Sequence, residues 1–390
     1  MSSFSESPEN EEQPFSATTK MMRLLCVYPL GFEKWQMVRF YVNVVVVKLF
    51  SFFFCCVLCL LHLVMTKIDG AHKADLSEDV SMIMAGTGML ATNLLFAYKV
   101  KKWNSLMGKV ADSPEMRNIQ NFEAIKKRCN RLARLFTMYC VIGAGIYLLS
   151  GYYESLVCIR KNEENGSNEI CRTLMPVWLP FRLSSAAELT LFALQAFAGI
   201  NLSLPGANMP FLVWEITEMI SLRISHLKKI SESIVVEKNI KSRQERLKHW
   251  VMSHQQIIEC ISLLNEQVRL CFGHISTIAA LVLGCLANQA INSVHLGAMA
   301  ELGGWMVGLF LLCSSGQKIT DITESVAEAI YAMEWYSTDV QTMRDIRFIL
   351  MRSQKPLVLQ AGPLGALNYP LYMMMVKASY TYLTLLANTI

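Results

Sequence analysis

Charged residues are scarce in this 390-residue sequence. They make up 17% of the chain, against about a quarter in an ordinary soluble protein. Hydrophobic residues make up 53%, and the mean hydropathy is +0.32. Because so little polar surface remains to cover a globule, soluble domains and a disordered chain are both disfavoured. The composition predicts an integral membrane protein.

Several functional signatures are also lacking. A net charge of +5 over the whole chain is too small for a basic surface that binds phosphates, which excludes a nucleic-acid binder. The sequence has no His-Glu-x-x-His, no Gly-x-Ser-x-Gly and no phosphate loop, and its seven His are scattered. We therefore predict no enzyme activity, no catalytic or metal-ligating residues and no cofactor. The twelve Cys lie mostly in apolar runs, where Cys behaves as a small hydrophobe.

Seven stretches without Asp, Glu, Lys or Arg approach the ~20 apolar residues that a membrane-spanning helix needs. They lie at 49–65, 80–98, 135–153, 189–214, 275–300, 302–317 and 356–376. The fifth includes a loop, and the sixth is the shortest. The N-terminal residues are polar and lack the apolar segment of a signal peptide, so the first span is expected to direct insertion. The sequence thus predicts an all-α membrane protein with seven transmembrane helices.

Basic residues of the connecting segments lie mostly on one side of these spans. That side carries 27 Lys and Arg, and the other carries 6. By the positive-inside rule, the N-terminus is predicted to be cytoplasmic and the C-terminus extracellular. A weak N-glycosylation motif begins at Asn165 in an extracellular loop, and we predict a glycan there. Cys158 and Cys171 lie in the same loop, where a disulfide and two free thiols both remain open.

Amphipathic helical patterns continue beyond the membrane on the cytoplasmic side. Apolar residues recur at helical spacing among charges in 214–230, 249–270 and 322–350, with a short charged turn at 237–248. They predict a cytoplasmic anchor bundle whose apolar stripes either contact other subunits or pack within one. The predicted divisions are a cytoplasmic segment 1–37, six transmembrane helices in 38–320, an anchor helix in 321–355 and a last helix in 356–390.

The last helix carries a polar face. Lys377, Thr381, Thr384 and Asn388 follow one another at steps of 4, 3 and 4 residues, which puts all four on one side of a helix. Polar groups at membrane depth normally face protein or water. This side therefore lines either a pore or a polar seam within the subunit.

The C-terminal segment carries several recognisable motifs. They are Ser353-Gln354-Lys355-Pro356, Ala361-Gly362 and the run Lys377–Leu386 with Thr381-Tyr382, followed by Asn388. Together they resemble the end of insect odorant receptors, with Asn388 where the wider chemoreceptor family has Gln. Pro176-x-Trp178-x-Pro180, before the fourth span, is also similar. The family's obligate co-receptor has a long insertion between its fourth and fifth helices. Here that connection, 231–248, is short, so the chain resembles a tuning subunit.

The resemblance implies both a function and a site. It implies an odorant-binding subunit of a tetrameric, non-selective cation channel, assembled with the co-receptor in the plasma membrane of sensory-neuron dendrites. Its other partners would be volatile odorants and membrane lipid. The implied pocket lies in the outer membrane half, at positions that match Met84, Gly88, Gly143, Ile146, Tyr147, Ser150, Phe192, Gln195, Ile278 and Val282. Four last helices line the pore, with a gate at Leu385 and Asn388.

Two other classes of membrane protein share parts of the pattern. A G-protein-coupled seven-transmembrane chemoreceptor is the main alternative. The predicted orientation is the inverse of that class, however, and no Asp-Arg-Tyr-like triplet follows the third span. A secondary transporter predicts repeated halves with broken helices, and the sequence shows no such repeat.

Overall fold

The computed structural model describes residues 14–68, 76–111, 121–165, 170–181, 183–292 and 296–389, and these are almost entirely helical. The helices are α1 (Ser16–Leu24), α2 (Lys34–Phe52), α3 (Leu58–Ile68), α4 (Ser77–Tyr98), α5 (Val100–Ala111), α6 (Phe122–Asn165), α7 (Ser185–Val236), α8 (Ile240–Asn292), α9 (Leu296–Ala332), α10 (Val340–Ser353) and α11 (Tyr369–Thr389). A π-helical segment, Phe53–Val57, joins α2 to α3.

Within the described ranges, six helical rods are long and apolar enough to cross a membrane. They are the α2–α3 rod, α4, α6, α7, α8 and α9, and they contain the first six predicted spans. Helix α11, with 21 residues, is about 31 Å long, which matches the ~30 Å hydrocarbon core of a bilayer. Its polar residues, such as Lys377 and Thr381, make it less apolar than the other six. Large apolar side chains on α2, α3 and α6 are exposed, as a lipid-facing surface requires.

The long helices end in two different regions. At one end, called the cavity end below, α3, α6 and α8 finish, while α4, α7 and α9 begin. At the opposite anchor end, α5 packs against α7 and α8, and α10 packs against α9. Helices α7 and α8 have 52 and 53 residues, so each is about 80 Å long and extends far beyond the bilayer core. This extension agrees with the amphipathic patterns of the sequence.

In two segments of the anchor end, the helix boundaries differ from those predicted from the sequence. The charged turn expected at 237–248 is only three residues long, because Asn239 accepts hydrogen bonds from two N–H groups of the first turn of α8. The stretch 322–350 is not one helix. Asp339 caps a separate α10 by accepting a hydrogen bond from the N–H of Thr342 at 3.0 Å.

The segment before α11 is not α-helical. The apolar run that starts at 356 becomes α-helical only at Tyr369, after a single 3-10 turn at Gly362–Leu364. Before that point, Gln360 and Ala366 form a short antiparallel bridge, and the turn between them has Gly362 and Gly365 at positive φ. Glycine adopts this conformation without steric cost. The chain therefore reverses direction here and delivers α11 onto α8 and α9.

Candidate functional site

A cavity of about 340 Å³ lies between the helices, toward the end at which α4, α7 and α9 begin. Helices α4, α6, α7 and α9 form most of its wall. Cys55 of the π-helical segment and two residues of α8, Phe272 and Ile275, also contribute to it. Most of the lining side chains are apolar, and the volume falls in the ~300–1,000 Å³ range of small-molecule sites. The arrangement can hold a small, mainly apolar molecule.

Glycines on facing helices border this cavity. A Cβ atom built on Gly143 of α6 or on Gly304 of α9 meets nothing beyond its own helix within 4 Å. One built on Gly303 has a single neighbour, the hydroxyl of Tyr139 at 3.3 Å. Small residues often let membrane helices pack closely. Here they face open volume instead, so a larger side chain at Gly143 or Gly304 would fill space now available to a ligand.

The loop that precedes α7 closes part of the wall through Leu174 and Met175. The structure joins Cys171 of this loop to Cys158 of α6 by a disulfide, which settles the alternative that the sequence left open. On the other side, Oε1 of Gln195 on α7 accepts a hydrogen bond from the N–H of Leu174 at 2.8 Å. These two attachments flank the lining residues and hold the loop against both helices.

Few polar groups reach the cavity. The hydroxyl of Thr92 is engaged by backbone carbonyls of its own helix and of α8, at 2.9 and 3.2 Å. The hydroxyl of Tyr147 lies 4.0 Å from the sulfur of Met82. Among the described residues that line the cavity, Glu301 is the one acidic residue, and no Lys, Arg or His is present. The carboxyl of Glu301 accepts a hydrogen bond from the indole of Trp305.

The ten residues that the family resemblance implies for a pocket fall into two groups. Gly143, Ile146 and Tyr147, all on α6, line the cavity. The other seven lie outside its lining, and they are Met84, Gly88, Ser150, Phe192, Gln195, Ile278 and Val282. None of the ten has been tested for odorant contact, so their roles stay predictions.

Four of these seven residues take part in the packing of α4 on α8. A Cβ on Gly88 would lie 2.6 Å from Cδ1 of Ile278, so the two helices are in close contact there. Val282 is fully buried in the main core, and Met84 and Ile278 pack against the same core. The space expected between α4 and α8 at these positions is therefore filled by protein.

The remaining three make contacts on α6 and α7. The hydroxyl of Ser150 lies 3.5 Å from a carboxylate oxygen of Glu154, one turn along the same helix. The ring of Phe192 packs edge-on against Tyr152 at 6.4 Å. Gln195 is fully buried, and its amide is engaged by the backbone of the loop. Gln195 thus positions Leu174 and Met175, which do line the cavity.

The contribution of α9 to the cavity is absent from the sequence-based predictions. This helix supplies Glu301, Trp305 and three glycines to the wall. The available signal was an ionisable residue inside an apolar segment, with two glycines, Gly303 and Gly304, starting two residues later. A search for stretches without charge places Glu301 at a boundary between spans and so removes it from consideration.

The predicted pore residues lie on an exposed side of α11 as far as the structure describes them. Lys377 and Thr381 are exposed, Thr384 is half-buried and Leu385 is 58% exposed. The hydroxyls of both Thr residues donate to carbonyls of their own helix. Asn388 belongs to α11, but its side chain lies outside the described part of the structure, as does the rest of the glycosylation motif that starts at Asn165.

The opposite side of α11 packs against α8. A Cβ on Gly284 of α8 would lie 2.7 Å from Cβ of Tyr382 and 3.0 Å from the carbonyl of Ser379. Leu371 and Met375 are buried on α11 itself. The helix therefore has one side fixed to its own subunit and one side, with Lys377 and Leu385, left open.

Comparison with known proteins identifies relatives of this chain. A family model described as 7tm Odorant receptor matches residues 73–380. Odorant receptor 67a of Drosophila melanogaster is 30% identical over 145 residues, which are 35% of this chain and 35% of that protein. The odorant receptor coreceptor of Aedes aegypti is 22% identical over 145 residues, 36% of this chain and 30% of that protein. The chain thus matches only about a third of the length of these relatives.

The fold is also that of solved structures. The insect olfactory receptor OR5 from Machilis hrabei aligns with a TM-score of 0.77 at 16% identity, covering 95% of this chain and 96% of that one. The same receptor in complex with eugenol aligns with a TM-score of 0.74 at 14% identity, covering 95% and 98%. At such low identity, this likeness shows the fold alone.

Proposed function

The chain belongs to the seven-transmembrane odorant receptor family, and on that premise we propose that it is the odorant-binding subunit of a heteromeric, odorant-gated, non-selective cation channel. The observation that carries the proposal is the apolar cavity walled by α4, α6, α7 and α9. Its volume suits a small volatile molecule. The receptor from Machilis hrabei, which shares the fold, has been solved in complex with eugenol, and this supports a similar class of ligand here.

The proposed partner is the odorant receptor co-receptor, in a tetramer. Relatives of this chain include co-receptors, and members of one family with a common fold can pack against one another in similar ways. The anchor end offers a surface for such contact. On α10, Ile346 is buried against its own subunit, whereas Phe348 and Met351 are 62% and 60% exposed. Exposed apolar side chains on a helix outside the membrane indicate a protein contact.

The proposed orientation places the anchor end in the cytoplasm and the cavity end outside the cell. The support is the excess of Lys and Arg in the segments that connect helices at the anchor end. Odorant would then enter from the extracellular side. Family membership supports the plasma membrane of sensory-neuron dendrites as the location, with lipid around α2, α3 and α6 and a glycan on Asn165.

The proposed ion path is lined by α11. Its open side carries Lys377, Thr381 and Leu385, while its other side is fixed to α8. In a tetramer, four such sides would surround a central axis. A hydrophobic ring can close a pore by excluding water, and Leu385 suits that role with Asn388 one turn further along the helix.

The test is ligand-evoked current in cells that express this chain with and without the co-receptor, while G-protein signalling is blocked. A panel of small volatile molecules should evoke a non-selective cation current only when both chains are present, and the G-protein block should leave it unchanged. The co-receptor alone is the control for ligands that act on it directly. Current that disappears with the G-protein block would instead favour the G-protein-coupled alternative, and both chains at the surface without any evoked current would contradict the proposal.

A further inference from the structure

Glu301 differs in charge from every other described residue of the cavity wall. It lies one and a half turns into α9, it is partly buried, and it faces a cavity that contains no Lys, Arg or His among the described lining residues. In the described part of the chain, no ion pair to its carboxyl is formed. An ionisable side chain within a membrane-spanning helix is costly, and such residues commonly mark a functional site.

The carboxyl of Glu301 is placed to accept hydrogen bonds. The indole N–H of Trp305 already donates to the carboxyl, and an indole can only donate. The carboxyl is therefore held as an acceptor, and a carboxylate has about four acceptor positions. Its unused capacity is open to a hydrogen-bond donor from a molecule in the cavity.

Negative charge and aromatic rings both occur around Tyr147. Glu78 and Glu301 act electrostatically on Tyr147, whereas Asp79, beside Glu78 at the start of α4, is paired with His62 at 2.9 Å. Trp305, Tyr147 and Tyr139 also line the cavity. Both features attract an ammonium group, the first by charge and the second through the negative faces of the rings.

We infer that Glu301 makes this cavity selective for ligands that carry a protonated aliphatic amine, whose ammonium contacts the carboxylate while the hydrocarbon chain fills the apolar space beside Gly143 and Gly304. An uncharged ligand leaves the carboxylate without a counter-charge, which is unfavourable away from water. A bound ammonium supplies that charge and a hydrogen bond at once. The inference rests on the proposed function, because it names the ligand class of the same cavity.

The experiment compares n-hexylamine with 1-hexanol, which has the same carbon chain and no charge at neutral pH. Concentration–response curves are recorded from cells that express the co-receptor with the wild type, with Glu301→Gln or with Glu301→Asp. In the wild type, hexylamine should be the more potent of the two. Glu301→Gln should weaken hexylamine by about tenfold or more, as for a desolvated charge pair that loses one partner, and should change hexanol by less than about threefold. Glu301→Asp, which keeps the charge, should keep the preference for the amine.

Several results would overturn the inference while leaving the proposed function intact. One is a wild type that responds to hexanol but not to hexylamine. Another is a Gln variant in which both potencies shift in parallel or neither shifts. Should Glu301→Gln fail to reach the cell surface, the comparison of hexylamine with 1-hexanol on the wild type decides. Hexylamine should be the more potent of the two, and a hexanol potency equal to or above that of hexylamine counts against the inference. A wild type at the surface that no small molecule activates would contradict the proposed function itself.

Discussion

Side chains at the anchor end engage one another closely, whereas glycines at the cavity end border about 340 Å³ of open space. At the anchor end, the indole of Trp250 on α8 donates to the carbonyl of Leu227 on α7 at 3.0 Å. Arg223 bridges α7 to α5 and α8, through the carbonyl of Lys109 at 2.9 Å and the amide of Gln256 at 3.2 Å. No comparable network holds α6 to α9 in the described wall of the cavity.

The two halves of the long helices α7 and α8 therefore have different structural roles. Helices α7 and α8 run through both regions, so their spacing at the cavity end depends on how firmly they are joined at the anchor end. At the cavity end, glycines of α6 and α9 border open space, whereas direct hydrogen bonds join the helices at the anchor end. Five predictions examine the two regions and the helix that packs beside them, beginning with the largest expected effect.

Replacing Trp250 by Ala should unfold the anchor end. Trp250 is 2% exposed, and truncating a buried Trp costs about 3–5 kcal/mol, with the carbonyl of Leu227 losing its donor as well. We expect most of the variant to be lost from the monodisperse peak in size-exclusion chromatography of detergent extracts. Trp35→Ala is the matched control, because Trp35 is 85% exposed, and it should elute as the wild type. A Trp250→Ala variant with normal yield and thermal stability would show that the anchor end is not the rigid part.

Replacing Gly143 by Leu should change odorant response while leaving the fold in place. The new side chain enters the cavity, where a Cβ meets no neighbour within 4 Å. We expect concentration–response curves for several odorants to shift by about tenfold, equivalent to ~1.4 kcal/mol, with surface expression within a few-fold of wild type. Gly145→Leu is the control. Gly145 has equally open space but does not line the cavity, so its curves should superimpose on those of the wild type.

The contrast also explains which features could be predicted from the sequence. Membrane helices follow from the absence of charge, and that signal is strong over about twenty residues. The position of a side chain around a membrane helix is different, because the lipid-facing side and the core-facing side are both apolar. Hydropathy therefore did not distinguish Ile146, which lines the cavity, from Ile278, which packs against Gly88.

Polar residues presented the opposite difficulty. The sequence suggests that Gln195 orients a ligand. In the structure its amide oxygen instead accepts a hydrogen bond from the loop before α7, and the path of that loop does not follow from the sequence. Glu301 was overlooked because spans were defined by excluding charge. The polar face of α11 needed only helical spacing, and the structure leaves its described members on the open side of the helix. Whether that side lines a pore stays a prediction.

Replacing Leu385 by Ala should raise current in the absence of odorant, because a narrower hydrophobic side chain weakens the exclusion of water at a gate. Leu383→Ala is the control on the same helix, since the main-chain N of Leu383 lies 3.6 Å from a Cβ built on Gly284 of α8 and its side chain is half-buried. Whole-cell current before and after odorant gives the fraction open at rest. An unchanged resting current with an altered odorant potency would place Leu385 in the pocket wall and remove α11 from the ion path.

Lys377→Gln tests the same side of α11 through ion selectivity. Removing a positive charge near the path should alter single-channel conductance and the reversal potential in mixed cations, and it should leave odorant potency nearly unchanged. Lys355→Gln, which lies before α11 in the chain, should leave all three as in the wild type. If Lys377→Gln changed only odorant potency, the open side of α11 would belong with the cavity rather than with a pore.

Mild acid should weaken the anchor end. His254 packs against Trp250 at 4.9 Å; burial lowers the pKa of its imidazole to about 4, and the guanidinium of Arg352 adds to the effect. The folded state therefore favours neutral His254. Because the unfolded chain takes up the proton at a pKa of about 6.5, this contribution is complete above pH 6.5 and is lost between 6.5 and about 4.

Purified wild type should lose a few degrees of melting temperature over that range. His254→Gln should lose less, and His249→Gln, at an exposed position on the same helix, should follow the wild type. Equal slopes for wild type and His254→Gln would mean that His254 is not what makes the anchor end sensitive to acid.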